Sequence, residues 1–388
     1  MKLICKYADL MAKLADVALV VEDSMSSDDM KNVIFKLYKS GRLELVGINQ
    51  IITYRTDMDA ESFRTEDVKD DLFNEEDAYY FQIKSKELMA YLSTFKSVRR
   101  TEVNSTVFEI VNNKIVLTVI ETGKDDGKKL YSKWSFENVP IKPTFFSAIN
   151  IEMPEQRQSE NIEQIALYTS CLLPVMQNGT NLYSKMLFDT DYVVAFNPAF
   201  TTFMKNKLGN SFKGITLSYR AISFLKNIIC AAESVTLAKT DQFLCFKTAE
   251  VEAFIRYDNR TPDISIYLKM MKKDHAIALD RPYFKDVLKR LSLVKDTVEI
   301  VIPDGAAEIS VSNTKFNQDV PIIKNKGMAE LGEVKFKILP EVLNKAIIGD
   351  DNSFSATLYL YLAPTAHNGY VLMFGDDGDV WDSVTSIR

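Results

Sequence analysis

The chain has 388 residues, 46% of them apolar, and a formal net charge of −6. That length suits two to three domains with sizeable cores, and the acidic total argues against coating nucleic acid with the whole surface, though not against a basic inner face on an acidic body. No apolar run reaches transmembrane length, and the opening residues, with Lys2, Lys6, Asp9, Lys13 and Asp16, lack the apolar core of a signal peptide.

A first unit spans 1–58. Its periodicity predicts a helix over Tyr7–Val21, with Leu10, Leu14, Val17 and Val21 on one stripe. A polar loop and three strands follow, over Asn32–Tyr38, 42–46 and 51–56, with Ser40-Gly41 as a turn. The stretch 57–77 is strongly acidic and reads as a solvated outer connector. A second unit, 79–140, has a strand at 81–83, a helix over 86–98 marked by Leu88, Leu92 and Phe95, and strands over 105–119. The third, 144–212, is the least regular, with a helix near 160–173 that places Ile162, Ile165, Thr169 and Leu172 on one side. The fourth, 213–268, reads as a strand at 214–217, a helix over 219–231 and strands across 235–257. The fifth, 273–323, gives a strand at 276–279, a helix over 282–293, and strands Val298–Ile302 and Glu308–Ser312. The sixth, 334–388, has a short helix with Val342, Leu343, Ala346 and Ile347, ended by Gly349.

The order strand, amphipathic helix, strands therefore recurs about six times with a period near 60 residues. Little identity survives between copies, which implies a pseudo-symmetric α+β assembly rather than a solenoid of short repeats. A curved row of such units can close into a ring. Two units per domain give three domains, 1–143, 144–271 and 272–388.

Catalytic signatures are missing. Cys5, Cys171, Cys230 and Cys245 are scattered without a Cys-x-x-Cys pair and read as reduced core thiols. His275 and His367 stand in no metal-like spacing. No phosphate-binding glycine loop or nucleophile elbow occurs. Asp376-Asp377-Gly378-Asp379 reads as a hairpin turn, since the ligand ladder of a calcium loop is missing. The expectation is a binding protein rather than an enzyme, with no cofactor and no metal.

The charges are patterned. The second helix carries Lys86, Lys96, Arg99 and Arg100, the fourth Arg220 and Lys226, and the fifth Lys285, Lys289, Arg290 and Lys295. The first and sixth add Lys13 and Lys345, while acids crowd the connectors. Helices that pack one face on a sheet expose the other. Recurrent cations there would give many weak, sequence-independent contacts to phosphate. The third helix breaks the pattern, with Glu160 and Glu163 and no base.

At this point the residues resemble a known family, the bacterial DNA sliding clamp, the beta subunit of DNA polymerase III. The resemblance covers nearly the whole chain and is strongest in four places. These are Met1-Lys2-Leu3 with its helix and Gly41-Arg42-Leu43-Glu44-Leu45; 215–225 with the following strands and Thr261-Pro262-Asp263-Ile264; 284–294 with 298–300 and 307–312; and the ending Ile387-Arg388. The divergence suits a phage-encoded clamp or one from a distant lineage.

The resemblance implies a DNA clamp fold: three tandem domains, each of two β-α-βββ units, with helices lining a pore and antiparallel sheets outside. Two copies would form a head-to-tail ring around double-stranded DNA, contacted without sequence preference through Lys13, Lys86, Lys96, Arg99, Arg100, Arg220, Lys226, Lys285, Lys289, Arg290 and Lys345. The subunit interface would join the region of Tyr131, Trp134 and Phe136 to Leu293 and Val294 of the other copy. Polymerase and clamp loader would dock short linear motifs in a pocket walled by Tyr183, Phe196, Pro198, Ala199, Phe200 and Thr201. Its floor would be Pro262, Ile264 and Ile266, and its rim Val384, Ile387 and Arg388. The resemblance also implies a cytoplasmic protein of a bacterial or phage-infected cell, with no membrane partner.

The departures are specific. Phe196-Asn197-Pro198-Ala199-Phe200 replaces the family's Thr-Asp-Gly-His-Arg, Thr385-Ser386-Ile387-Arg388 lacks the family's proline, and Glu22-Asp23 replaces an early basic loop. Phe196 and Phe200 read equally as pocket wall or as plain core aromatics. The rival reading is a non-enzymatic β-rich structural or virion protein, which would share the repeats without needing a basic bore.

Overall fold

The structure is a computed structural model. It describes residues 1–21, 27–64, 78–95, 101–111, 114–155, 158–229, 232–258, 262–293, 296–305, 307–349, 354–365, 370–376 and 381–387. Six β-α-βββ units follow one another. The first is strand Lys2–Lys6, helix α1 (Tyr7–Val21) and strands Asn32–Tyr38, Arg42–Ile48 and Ile52–Asp59. The second is Ala78–Lys84, α2 (Ser85–Leu92), Thr101–Val111, Lys114–Gly123 and Lys129–Glu137. After a short helix α3 (Pro143–Ile149), the third is Gln158–Ser159, α4 (Ile162–Leu172), Lys185–Phe188, Tyr192–Phe196 and Thr201–Lys205. The fourth is Ile215–Ser218, α5 (Tyr219–Ile229), Thr236–Lys239, Phe243–Lys247 and Val251–Arg256, with a one-turn helix α6 (Ser265–Met270) after it. The fifth is His275–Asp280, α7 (Arg281–Leu291), Val298–Ile302, Glu308–Ser312 and Asn317–Lys326. The sixth is Val334–Ile338, α8 (Pro340–Ala346), Thr357–Pro364, Tyr370–Gly375 and Trp381–Ile387. The α+β class and the repeated unit agree with the sequence reading.

The units associate in pairs by exchanging their first strands. Lys2–Lys6 pairs with Thr101–Val111 of the second unit, setting Leu3 opposite Phe108. In return Ala78–Lys84 pairs with Asn32–Tyr38 of the first, setting Phe81 opposite Phe35. Units three and four trade Gln158–Ser159 and Ile215–Ser218 in the same way. Units five and six trade His275–Asp280 and Val334–Ile338. The helices pack to match: α1 on α2, α4 on α5, α7 on α8. Each helix has one apolar stripe, such as Leu10, Leu14 and Val17 of α1 or Phe284, Val287, Leu288 and Leu291 of α7. A single helix offers too little partner surface to bury that stripe alone, and the helix of the exchanged unit supplies part of the rest.

The chain divides into two compact parts, Met1–Ser159 with Ala232–Arg256, and Glu160–Ala231 with Tyr257–Arg388. The first holds a five-stranded sheet ending in Lys129–Glu137 and an eight-stranded sheet. The latter is continuous because Ile52–Asp59 pairs with Val251–Arg256, with Thr53 opposite Phe254. Arg55 reinforces that seam: its guanidinium lies 4.7 Å from the Phe254 ring centroid and donates to Glu252 and to the Ile149 carbonyl. The connector at α3 lies over the same sheet, where Ile149 packs with Ile34, Val46 and Ile48, and Ile151 and Met153 pack on Ala238, Cys245 and Phe254. The second part holds a twelve-stranded sheet, in which Trp381–Ile387 is inserted between Thr201–Lys205 and Tyr370–Gly375.

The structure differs from the sequence reading at several element ends. Helix α2 ends at Leu92 rather than running to 98, and α7 stops two residues short of its expected end; the last two residues expected of α5 lie outside the described residues. Helices α3 and α6 were not expected. Gly349 does follow α8, at φ +77°, and a Cβ there would meet the Phe354 ring at 2.3 Å, so only glycine fits.

Candidate nucleic-acid and partner interfaces

Helix α7 is the most cationic, with Arg281, Lys285, Lys289 and Arg290 against one acid, Asp286. Asp280 caps its start by accepting from the Tyr283 amide at 2.8 Å, and Pro282 fixes the first turn. The four cations do two jobs. Arg281 is buried, donates to the Ile348 carbonyl and stacks 5.1 Å from the Phe354 ring centroid. Lys285 donates to the Gly349 carbonyl at 2.8 Å. These two bind carbonyls two and three residues past the end of α8 and so tie α7 to that end of its partner helix. Lys289 and Arg290 lie exposed in the last turn, with Lys289 3.0 Å from Asp286 one turn back.

The other expected cations divide similarly. Lys86 and Lys345 are exposed, and Arg220 and Lys226 are half-buried on α5. Lys13 on α1 is 16% exposed at its side chain and ion-paired with Glu250. The bonded lysine holds the Glu250 carboxyl below the usual carboxylate range. Helix α4 shows an exposed Glu163 and no base. Lys96, Arg99 and Arg100 lie outside the described residues, as does Lys295.

The expected pocket residues fall on one region of the second compact part. Phe196, Ile264 and Val384 belong to a single apolar cluster with Leu187, Val194 and Phe203, and Tyr183 packs against it. Phe196, Phe200 and Thr201 are buried, so they form core beneath the surface rather than an open wall. Pro198 and Ala199 are exposed in the turn before Thr201, where the Asn197 carboxamide accepts from the Ala199 amide and Thr385 donates to the Ala199 carbonyl. Pro262 is half-buried. Ile266 is 62% exposed and stands outside the cluster. The reason is the period. The resemblance placed Pro262, Ile264 and Ile266 together by position, but α6 turns helically, so Ile264, Tyr267, Leu268 and Met271 face the cluster. Tyr267, 6.3 Å from Phe196 between ring centroids, is the contact that sequence reasoning missed, with Tyr192, Tyr359 and Tyr361. A helical spacing of apolar residues after Pro262 was the available signal. On Trp381–Ile387, Val384 pairs with Thr201; the Ile387 side chain and Arg388 lie outside the described residues.

The third candidate surface is the terminal strand of the five-stranded sheet, Lys129–Glu137. Tyr131 is 59% and Trp134 53% exposed, whereas Phe136 is buried. Trp134 and Phe136 both pack on Tyr91 of α2, whose hydroxyl donates to the Ser132 carbonyl at 2.7 Å. Leu293, just after α7, is 84% exposed, and Val294 lies outside the described residues. A long edge strand bearing exposed aromatic residues is an unprotected pairing template.

Chemistry of other kinds finds little support. The Cys5 and Cys245 thiols are pushed up to about 12 by burial, which leaves them protonated and inert at neutral pH. His275 is half-buried, with Nδ1 2.8 Å from the Gly327 carbonyl oxygen. Among the described residues no helix is long and apolar enough to cross a membrane.

No protein-family model matches this sequence, and no curated protein matches it either. Solved structures match over its whole length. A sliding clamp, DNA polymerase III subunit beta, from Pseudomonas aeruginosa bound to griselimycin is 12% identical, with a TM-score of 0.73 over 100% of this chain and 99% of that one. The Helicobacter pylori beta clamp bound to a DNA ligase peptide is 12% identical, with a TM-score of 0.72 over 100% of both chains. A putative DNA polymerase III beta subunit from Eubacterium rectale is 13% identical, with a TM-score of 0.73 over 100% of this chain and 99% of that one. The fold of this chain is the sliding-clamp fold.

Proposed function

We propose that the chain is a DNA sliding clamp: a non-enzymatic processivity factor, two copies of which close into a ring around duplex DNA. The observation that carries this reading is the structural match to sliding clamps over 100% of this chain and 99% or more of theirs, at TM-scores of 0.73 and 0.72. The strand-exchanged pairs support a division into three domains at about residues 143 and 271, and by analogy the two helices of each would face DNA.

Encirclement replaces grip. A closed ring stays on DNA by topology, so its helices need only weak phosphate contacts, and tight ones would slow sliding. A body of net charge −6 with exposed Lys86, Lys289, Arg290 and Lys345 suits that requirement. Ring closure would pair the edge strand Lys129–Glu137 of one copy with the third domain of the other, covering Tyr131 and Trp134. Polymerase and clamp-loader segments would dock over the Tyr183, Ile264 and Tyr267 region, by analogy with the ligase peptide on the Helicobacter pylori clamp. The cell compartment would be the cytoplasm, at the replication fork of a bacterium or its phage.

The test is topological. Retained on a nicked circular plasmid through gel filtration, the protein is expected to fall off when the plasmid is cut once. Retention that survives linearisation would mean ordinary binding along the duplex and would reject encirclement.

A further inference from the structure

The charge of Lys13 on α1 is already answered by a carboxylate from a distant strand turn. Its ammonium meets Glu250 across 237 residues of sequence. The geometry is built rather than incidental. Glu250 sits in the hairpin turn between Phe243–Lys247 and Val251–Arg256, where the Thr248 hydroxyl accepts from the amides of Glu250 and Val251. Thr56 of the neighbouring strand donates to the Glu250 carbonyl at 3.1 Å. That turn is therefore tied to the strand beside α1, and its carboxylate is presented to Lys13. The lysine is largely covered while Glu250 is 73% exposed, so the outward charge at this position is the acid. Around the pair lies a cleft of about 650 Å³, lined also by Lys6, Asp9, Asp57, Asp59 and Glu61. Of these, Asp57 is held by Arg42 at 2.7 Å.

We propose that Glu250 acts as an electrostatic brake on DNA contact, occupying Lys13 so that α1 contributes no phosphate contact. This rests on the encirclement reading and adds to it a division of labour: the weak grip comes from exposed cations such as Lys289 and Arg290, and the α1 sector is kept slippery. An intramolecular carboxylate fixed by its turn competes at high effective concentration with any phosphate passing in solution. Removing it changes the local charge and frees a cation together.

The test is a fluorescence-anisotropy titration of a short labelled DNA duplex with the full chain, across a salt series. Glu250→Gln is expected to tighten binding several-fold and to steepen the slope of log affinity against log salt by roughly one, the signature of one added phosphate contact. Lys13→Gln alone is expected to leave both unchanged, and Glu250→Gln placed on Lys13→Gln is expected to give no gain. That non-additivity is the signature of a direct pair rather than of a general loss of negative charge. Unchanged affinity in Glu250→Gln, or equal gains with and without Lys13, would overturn the brake. The control is Lys289→Glu with Arg290→Glu. If that variant weakens binding while Glu250→Gln has no effect, the brake alone fails. If it too has no effect, the brake fails as well, because these cations do not meet the duplex; encirclement is rejected separately, by retention on the linearised plasmid.

Discussion

Replacing Tyr131 and Trp134 together with aspartate is expected to drop the particle mass in solution from twice the 44.1 kDa chain mass to the chain mass itself. Both side chains stand on the terminal strand of the five-stranded sheet, more than half exposed, where an apolar surface is stable only if something covers it. In the proposed ring that cover is the second copy. Buried aromatic anchors cost about 2–4 kcal/mol each when truncated, and a charge in their place adds desolvation, so two such changes move the dimer equilibrium by more than about a thousandfold. The single change Phe136→Ala is the contrast. Phe136 is buried against Tyr91, so its loss should lower thermal stability and leave the mass distribution of the folded fraction unchanged. Analytical ultracentrifugation at several concentrations reads both effects. A Tyr131/Trp134 variant that keeps the wild-type mass would remove this strand from the interface.

The second large effect is expected at the end of α7. Lys289→Glu with Arg290→Glu reverses two exposed charges that make no contribution to the helix core. Losing two phosphate contacts should reduce the salt slope by about two, and the added repulsion should lower affinity for duplex DNA on the order of a hundredfold at low salt. Arg281 and Lys285 on the same helix provide the internal control. They hold the Ile348 and Gly349 carbonyls just past α8, so their substitution should lower the melting temperature before it touches DNA affinity. Equal salt slopes for the wild type and the α7 double variant would show that this helix end does not meet DNA.

These two surfaces differ in how far the sequence shows them. The apolar stripes of α1 and α7 repeat at helical spacing, and the capping residue Asp280 with Pro282 marks a helix start, so both elements could be placed within a residue or two. The edge position of Lys129–Glu137 could not be derived from its residues. The resemblance alone set Tyr131, Trp134 and Phe136 at a subunit edge, and strand pairing is what makes Lys129–Glu137 terminal in its sheet. Short helices were the weak point. Six residues of α6 give barely more than one turn, a weak period, so Pro262, Ile264 and Ile266 were placed by family position and Ile266 was assigned inward. The family analogy then led past Tyr267, which packs on the cluster. Phe196 shows the limit of reading a pocket by position, because an aromatic residue at a strand end serves as core or as wall depending on what covers it. The Lys13–Glu250 pair lay beyond sequence reasoning altogether, since nothing local couples a helix of the first unit to a turn of the fourth.

The most direct measurement is electron microscopy of the purified chain. The proposed function predicts closed rings of two copies with six-fold pseudo-symmetry and an open centre that admits a DNA duplex. Particles that are single chains, or compact assemblies with no central opening, would contradict it.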